Sequence, residues 1–233
     1  MKFNKFIVGI IVCSTPLMAY SCNKYLKIKN ENISLNQEKK DKTISKEELD
    51  KGLSNYVANK SPLYVKDILI VNKEYSVPNN LANGLNEDVL KQFESMKLDA
   101  LKDGLELNIR SGFRSNEYQT ELYNTYVEVD GEEKASTYSA KPGHSEHETG
   151  LAIDITSEIT DRSIGDWFTE TPQAKWLYEN AWKYGFILRY PKGKESITGY
   201  KYESWHYRYV GTEHSKNFNQ NNLTLEEYVG LVN

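Results

Sequence analysis

The chain has 233 residues, 39% of them hydrophobic and 27% charged, with a formal net charge of -4. That length supports one domain of ordinary size with a buried core plus an N-terminal extension, and the mildly acidic balance argues against a nucleic-acid partner. Of the two cysteines, Cys13 falls in an apolar N-terminal run and Cys22 just beyond it, so the folded part holds together without a disulfide.

The first residues read as an export signal. Lys2 and Lys5 form a basic start, Phe6 to Met18 is mostly apolar, and Ala19 and Ser21 place small residues before Cys22. The run is short and broken by Ser14, Thr15 and Pro16, which disfavours a spanning helix. Residues 1–21 are therefore expected to be a signal peptide and the protein to be exported to the cell surface or beyond. Membrane attachment through a lipid on Cys22, or through an uncleaved N-terminal segment, is the alternative to simple cleavage. Residues 22–54 are dominated by Lys, Asn, Glu, Asp and Ser without a sustained period, which predicts a flexible polar linker before a domain spanning 55–233.

Ile68 to Val71 reads as a strand entering the Asn72-Lys73 turn. Asn86 to Lys102 is amphipathic, with Val89, Phe93, Met96, Ala100 and Leu101 on one face and Gly104 beyond its end. Leu105, Leu107 and Ile109 alternate with polar residues, as in a half-buried strand. A polar, Tyr-rich helix follows from about Asn116 to Val127. Thr171-Pro172 opens a further helix that runs through Trp176, Leu177, Ala181 and Tyr184 to Gly185. Short strands are expected around Leu151–Ile155 and Trp205–Val210. Helices and strands mix without a βαβ rhythm, so the expected class is α+β: one compact domain whose small antiparallel sheet is flanked by helices.

All four histidines fall between positions 144 and 214. His147 precedes Gly150-Leu151-Ala152-Ile153-Asp154. On a strand, Leu151, Ile153 and Ile155 share the core side and Asp154 shares the other with the small Ala152. Gly150 permits a turn that returns His147 towards Asp154, and imidazole plus carboxylate suits zinc. In Glu203-Ser204-Trp205-His206-Tyr207-Arg208-Tyr209 the alternation puts Trp205, Tyr207 and Tyr209 on one face and His206 and Arg208 on the other. Glu203 then sits in the preceding turn, close enough to approach a metal without ligating it. Arg114, in Ser111-Gly112-Phe113-Arg114-Ser115, follows a strand, where its planar donors either reach a cleft or form a surface ion pair.

Together these segments resemble the zinc D-alanyl-D-alanine carboxypeptidases, the group that includes the vancomycin-resistance accessory carboxypeptidases and the peptidoglycan L,D-carboxypeptidases. Ser-x-His-x-x-Gly-x-Ala-x-Asp is met by Ser145 to Asp154, Glu-x-x-His by Glu203 to His206, and the arginine segment by Ser111 to Ser115 with Tyr118-Gln119 after it. The resemblance covers most of the chain from Ile68 onward. Ser204 stands where the family often has proline before the Trp-His pair.

The resemblance implies one Zn2+ held by His147, Asp154 and His206. It implies Glu203 as general base, Arg114 as the group stabilising the scissile carbonyl or the substrate, and Ser145, Gln119 and Trp205 as substrate contacts. His144 and His214 match no ligand position. The implied activity is hydrolysis of the C-terminal D-alanine of peptidoglycan stem peptides or precursors, across a D,D or an L,D bond. A peptidoglycan endopeptidase of the same zinc group and a non-catalytic wall-binding module or sensor are the competing readings. The Ser-x-x-Lys arrangement of penicillin-binding enzymes is not found at Ser111 or Ser145.

Overall fold

The computed structural model describes residues 27–29, 43–59, 62–157 and 164–232. Contacts divide the chain into a unit of residues 1–42, in which 27–29 form one helical turn, and a compact unit of residues 43–233. The expected signal peptide lies outside the described residues, as does Cys22. No described helix is long and apolar enough to cross a membrane.

The compact unit begins earlier than the composition suggests. Helix α1 spans Lys46–Asn59, inside the expected linker. Ile44 and Leu49 are buried, and Leu53 and Tyr56 pack beside them. These apolar residues recur every three to five positions, enough for one helical stripe, but the Lys, Glu and Asn between them mask it in composition. The domain, expected to start at residue 55, therefore starts at residue 43.

After α1 come strands β1 (Leu63–Val65) and β2 (Ile68–Ile70), which form an antiparallel hairpin with Val65 opposite Ile68. Helix α2 (Glu87–Lys102) is capped by Asn86, whose side chain accepts from the Asp88 and Val89 amides. Val89, Phe93, Met96 and Ala100 are its buried face, whereas Leu101 is 58% exposed and lies off that face. Strand β3 is shorter than the alternation suggests, Asn108–Ser111, because Leu107 is buried before ladder pairing starts.

Then follow α3 (Asn116–Asp130), α4 (Glu132–Ala135), a 3-10 turn at Glu146–Thr149, β4 (Ala152–Thr156) and a second 3-10 turn at Asp166–Glu170. Helix α5 (Pro172–Asn180) gives way to a 3-10 turn at Ala181–Tyr184 before Gly185, so the α-helix ends earlier than its apolar period does. Strand β5 (Phe186–Leu188), α6 (Glu195–Thr198), β6 (His206–Tyr209), α7 (Thr212–Asn221) and α8 (Leu225–Val229) complete the unit.

β3, β4, β6 and β5 lie in that order in one antiparallel sheet. One face carries Ile153, Ile155, Phe186 and Tyr207 against α2 and α5, with Leu107, Phe168 and Leu177 filling the same core. Ile187, from the other side of β5, joins a second core built from α1, the β1–β2 hairpin, α7 and α8. All five residues of β4 are buried, Ile153 and Ile155 in the first core and Asp154 on the opposite face of the sheet. An α+β domain with a small antiparallel sheet flanked by helices is what the alternating patterns predict.

Candidate metal centre

Strand register brings the first two groups together. Asp154 on β4 pairs with His206 on β6, and Ala152 pairs with Arg208. Side chains opposite one another in an antiparallel pair share a face, so Asp154 and His206 meet away from the Ile153–Tyr207 core. His206 Nδ1 lies 3.1 Å from Asp154 Oδ1.

The third group arrives by a turn. His147 sits in the 3-10 turn Glu146–Thr149, which ends at Gly150 with φ of +69°. A Cβ on Gly150 would lie 2.3 Å from the Gly84 carbonyl oxygen, so this left-handed and crowded position requires glycine. The reversal places His147 Nε2 3.3 Å from Asp154 Oδ2. His147 Nδ1 is held by the Gly112 carbonyl at 2.6 Å, while Nε2 is buried with no hydrogen-bond partner among the described residues.

One ligand atom from each of His147, Asp154 and His206 lies within 4.8 Å of the others, and all three residues are buried. A buried imidazole nitrogen without a hydrogen-bond partner among the described residues, a carboxylate and a second imidazole converge. Burial pushes the His147 imidazole down, favouring the neutral form that binds metal. Burial also opposes a charge on His206, but its hydrogen bonds to Asp154 and Glu146 outweigh it and raise the group to about 9. Asp154 is held well below the usual range by the two histidines, against the effect of its burial. Two imidazoles and one carboxylate are a normal catalytic zinc ligand set, with room for a further ligand.

Glu203 lies in the turn that leads into β6, where the His206 amide bonds back to the Glu203 carbonyl. Its carboxylate is 3.8 Å from His206 Nδ1, beside the cluster and beyond hydrogen-bond distance. Burial pushes it up to about 8.

Arg114 comes from the segment after β3, where a register shift between Ile109 and Ser111 sets Ser111 opposite Asp154. It donates from Nη2 to Asp154 Oδ2 at 3.2 Å, from Nη1 to Gln119 Oε1 at 3.1 Å and from Nε to Ser111 Oγ at 3.1 Å. Its side chain is 18% exposed, so it belongs to the cleft and not to a surface ion pair.

The cluster floors a cleft of about 770 Å3. Ser145 and Trp205 line it, as do Arg114 and Glu203. Gln119 is fully buried behind Arg114; its Nε2 donates to the Ala140 carbonyl at 2.8 Å, so both ends of its amide are engaged within the protein. His144 and His214 stand elsewhere. His144 Nδ1 meets the Asn72 carbonyl, and His214 bridges Asp67 and the Tyr228 hydroxyl.

Three lining residues are not evident from sequence patterns. Tyr190 and Tyr200 stack at 4.8 Å, Tyr190 also packs on the His206 ring at 4.9 Å, and the Tyr200 hydroxyl is buried without a hydrogen-bond partner among the described residues. Glu146, fully buried, contacts His206 Nε2 at 3.1 Å. Isolated tyrosines in a chain with 17 of them carry no signal, and a glutamate beside a histidine is unremarkable in one dimension.

Comparison with known proteins agrees with this geometry. Residues 82–212 match the family model VanY, D-alanyl-D-alanine carboxypeptidase. A D-alanyl-D-alanine carboxypeptidase of Enterococcus faecium is 34% identical over 212 residues, covering 87% of this chain and 65% of the relative. The chain thus spans about two thirds of the length of the curated relatives it matches. The solved LdcB LD-carboxypeptidase aligns with a TM-score of 0.62 at 43% identity, covering 70% of this chain and 85% of that one. A zinc complex of the vancomycin-resistance D,D-pentapeptidase VanY, from a VanB-type cassette, aligns with a TM-score of 0.60 at 31% identity, covering 69% of this chain and 97% of that one. With more than half of its length inside the family model, and with a ligand cluster able to hold zinc at the floor of its cleft, the chain belongs to the VanY family of D-alanyl-D-alanine carboxypeptidases.

Proposed function

We propose that this protein is a zinc-dependent carboxypeptidase that removes the C-terminal D-alanine from peptidoglycan stem peptides. The observation that carries this reading is the convergence of His147, Asp154 and His206 beneath a cleft that also holds Glu203 and Arg114. The E. faecium relative is a D-alanyl-D-alanine carboxypeptidase, and the LdcB neighbour cleaves as an LD-carboxypeptidase, so the substrate class follows from both.

Zinc held by the two imidazoles and the carboxylate supplies Lewis acidity towards the scissile carbonyl and towards a water. Glu203 accepts the proton of the attacking water and later delivers it to the leaving amine. The C–N bond breaks, with free D-alanine and a shortened peptide as products. Burial raises the Glu203 carboxyl above the ordinary range, which makes its ionised form a stronger base. Arg114 faces the reacting end of the peptide, where its guanidinium stabilises developing oxyanion charge or holds the terminal carboxylate. Gln119 acts through Arg114, fixing the guanidinium plane. Ser145, Trp205 and the Tyr190–Tyr200 pair shape the walls around the terminal residue.

The reading is tested by mass spectrometry of defined stem peptides with free and amidated C-termini. A charge-assisted contact to a carboxylate contributes roughly 1.5–3 kcal/mol. Amidation should therefore lower kcat/KM by about tenfold to a hundredfold. Equal cleavage of the amide, or cleavage of internal bonds first, would replace this reading with an endopeptidase.

A further inference from the structure

His206 is held on both sides. While Nδ1 faces Asp154, Nε2 meets Glu146 Oε2 at 3.1 Å. The other oxygen of Glu146 accepts from Arg189 Nε at 2.7 Å and from Arg208 Nη1 at 2.8 Å. Arg189 is fully buried and also donates to Glu226, Nη1 to Oε2 at 3.0 Å and Nη2 to Oε1 at 2.7 Å. Asn72 also donates to Glu226, at 3.2 Å, and Arg208 reaches the Leu69 carbonyl through Nη2 and the Tyr209 carbonyl through Nε. Two guanidiniums thus balance two carboxylates in the space between the sheet, the β1–β2 hairpin and α8.

This pattern has a chemical consequence for His206. With both arginines donating to one oxygen of Glu146, the other oxygen can only accept from the imidazole. The Nε2 position of His206 must then carry a proton, so in the neutral ring Nδ1 is the nitrogen that keeps its lone pair for a metal. A carboxylate behind an imidazole also makes it a stronger donor to metal.

We propose that Glu146 is a positioning residue for the metal centre, selecting the His206 tautomer that offers Nδ1 to the ion, and that Arg189, itself clamped by Glu226 of α8, locks it in place. This inference rests on the zinc reading given above. It assigns a role in the centre to α8, an element that contributes no ligand to it.

Glu146→Gln is the informative variant. A glutamine whose oxygen satisfies the two arginines must turn its NH2 towards Nε2, which forces the proton of a neutral His206 onto Nδ1. Zinc affinity is measured by competition with a chromophoric chelator, and the ligand field is read from the visible spectrum of the Co(II)-loaded protein. Loss of a partner behind a metal-binding histidine typically weakens affinity by about 10–100-fold. E146Q should therefore bind zinc tenfold to a hundredfold more weakly, with altered Co(II) bands. Met96→Ala, in the core packed against the opposite face of the sheet, should lose thermal stability yet keep parental affinity and spectrum.

If E146Q fails to fold, Glu226→Gln decides the matter, since freeing Arg189 should still weaken zinc binding several-fold. Parental zinc affinity in E146Q, or in E226Q where that is the variant measured, overturns the role of Glu146. A parent chain that binds no zinc, or binds it as well after His206→Ala, overturns the zinc reading and this inference with it.

Discussion

Glu203 and the ligands are separated by a small distance with a large chemical meaning. At 3.8 Å from His206 Nδ1, the Glu203 carboxylate is not a member of the ligand set, yet it reaches the same space. Glu203→Gln should keep parental zinc content, because no ligand is removed. It should lose about 100- to 10,000-fold in kcat, the usual worth of a positioned acid–base group. Metal analysis beside steady-state kinetics checks this, and a loss of zinc would reassign Glu203 as a ligand. The residues that bear this chemistry were suggested in the sequence by type and spacing, His147 and Asp154 around Gly150 and Glu203 three before His206, and were joined into one site by the family resemblance. Glu146 and Tyr200 were not visible, because what distinguishes them is what they face. Gln119 had been expected at the substrate, and its amide instead spans Arg114 and the Ala140 carbonyl.

At the level of elements, strand alternation did most of the positioning. A period of two turns Asp154 and His206 to one face of their strands and leaves Ile153 and Tyr207 for the core, and register then sets the two opposite each other. That pattern is local and survives in the sequence. Helix α1 shows the opposite case, since its apolar stripe is thin and its partners include, beside the adjacent hairpin, the distant α7 and α8. Leu49→Ala tests whether the helix belongs to the fold. A buried leucine cut back to alanine costs about 2–5 kcal/mol, and Leu49, at the rim of its cluster with 9% exposure, should fall at the lower end. Denaturant unfolding should show a loss of about 2 kcal/mol with an unchanged slope. No loss would return this segment to the status of a linker.

For the whole molecule, the metal centre ties the turn and strand around β4 to β6, with Asp154 and His206 lying 52 residues apart in the chain. Zinc that binds the folded state but not the unfolded one stabilises it by about 2.7 kcal/mol when free zinc is 100 times Kd. For a domain of this size each kcal/mol moves Tm by about 2–4 °C. Stripping the protein with a chelator should therefore lower Tm by about 5–10 °C, reversibly on adding zinc back, in a calorimetric scan; an unchanged Tm would count against tight binding. Taken by itself, the sequence determined the class of fold and the strands around Leu151–Ile155 and Trp205–Val210, because these depend on periodicity over a few positions; the ligand set was implied by the resemblance of three spaced motifs to a known family. Only the tertiary structure decided that residues 43–54 are part of the domain, that Gln119 backs Arg114, and that Glu146, Arg189, Arg208 and Glu226 form a buried network behind His206. Each of those depends on which distant side chains exclude water from one another, and burial of that kind leaves no trace in local spacing.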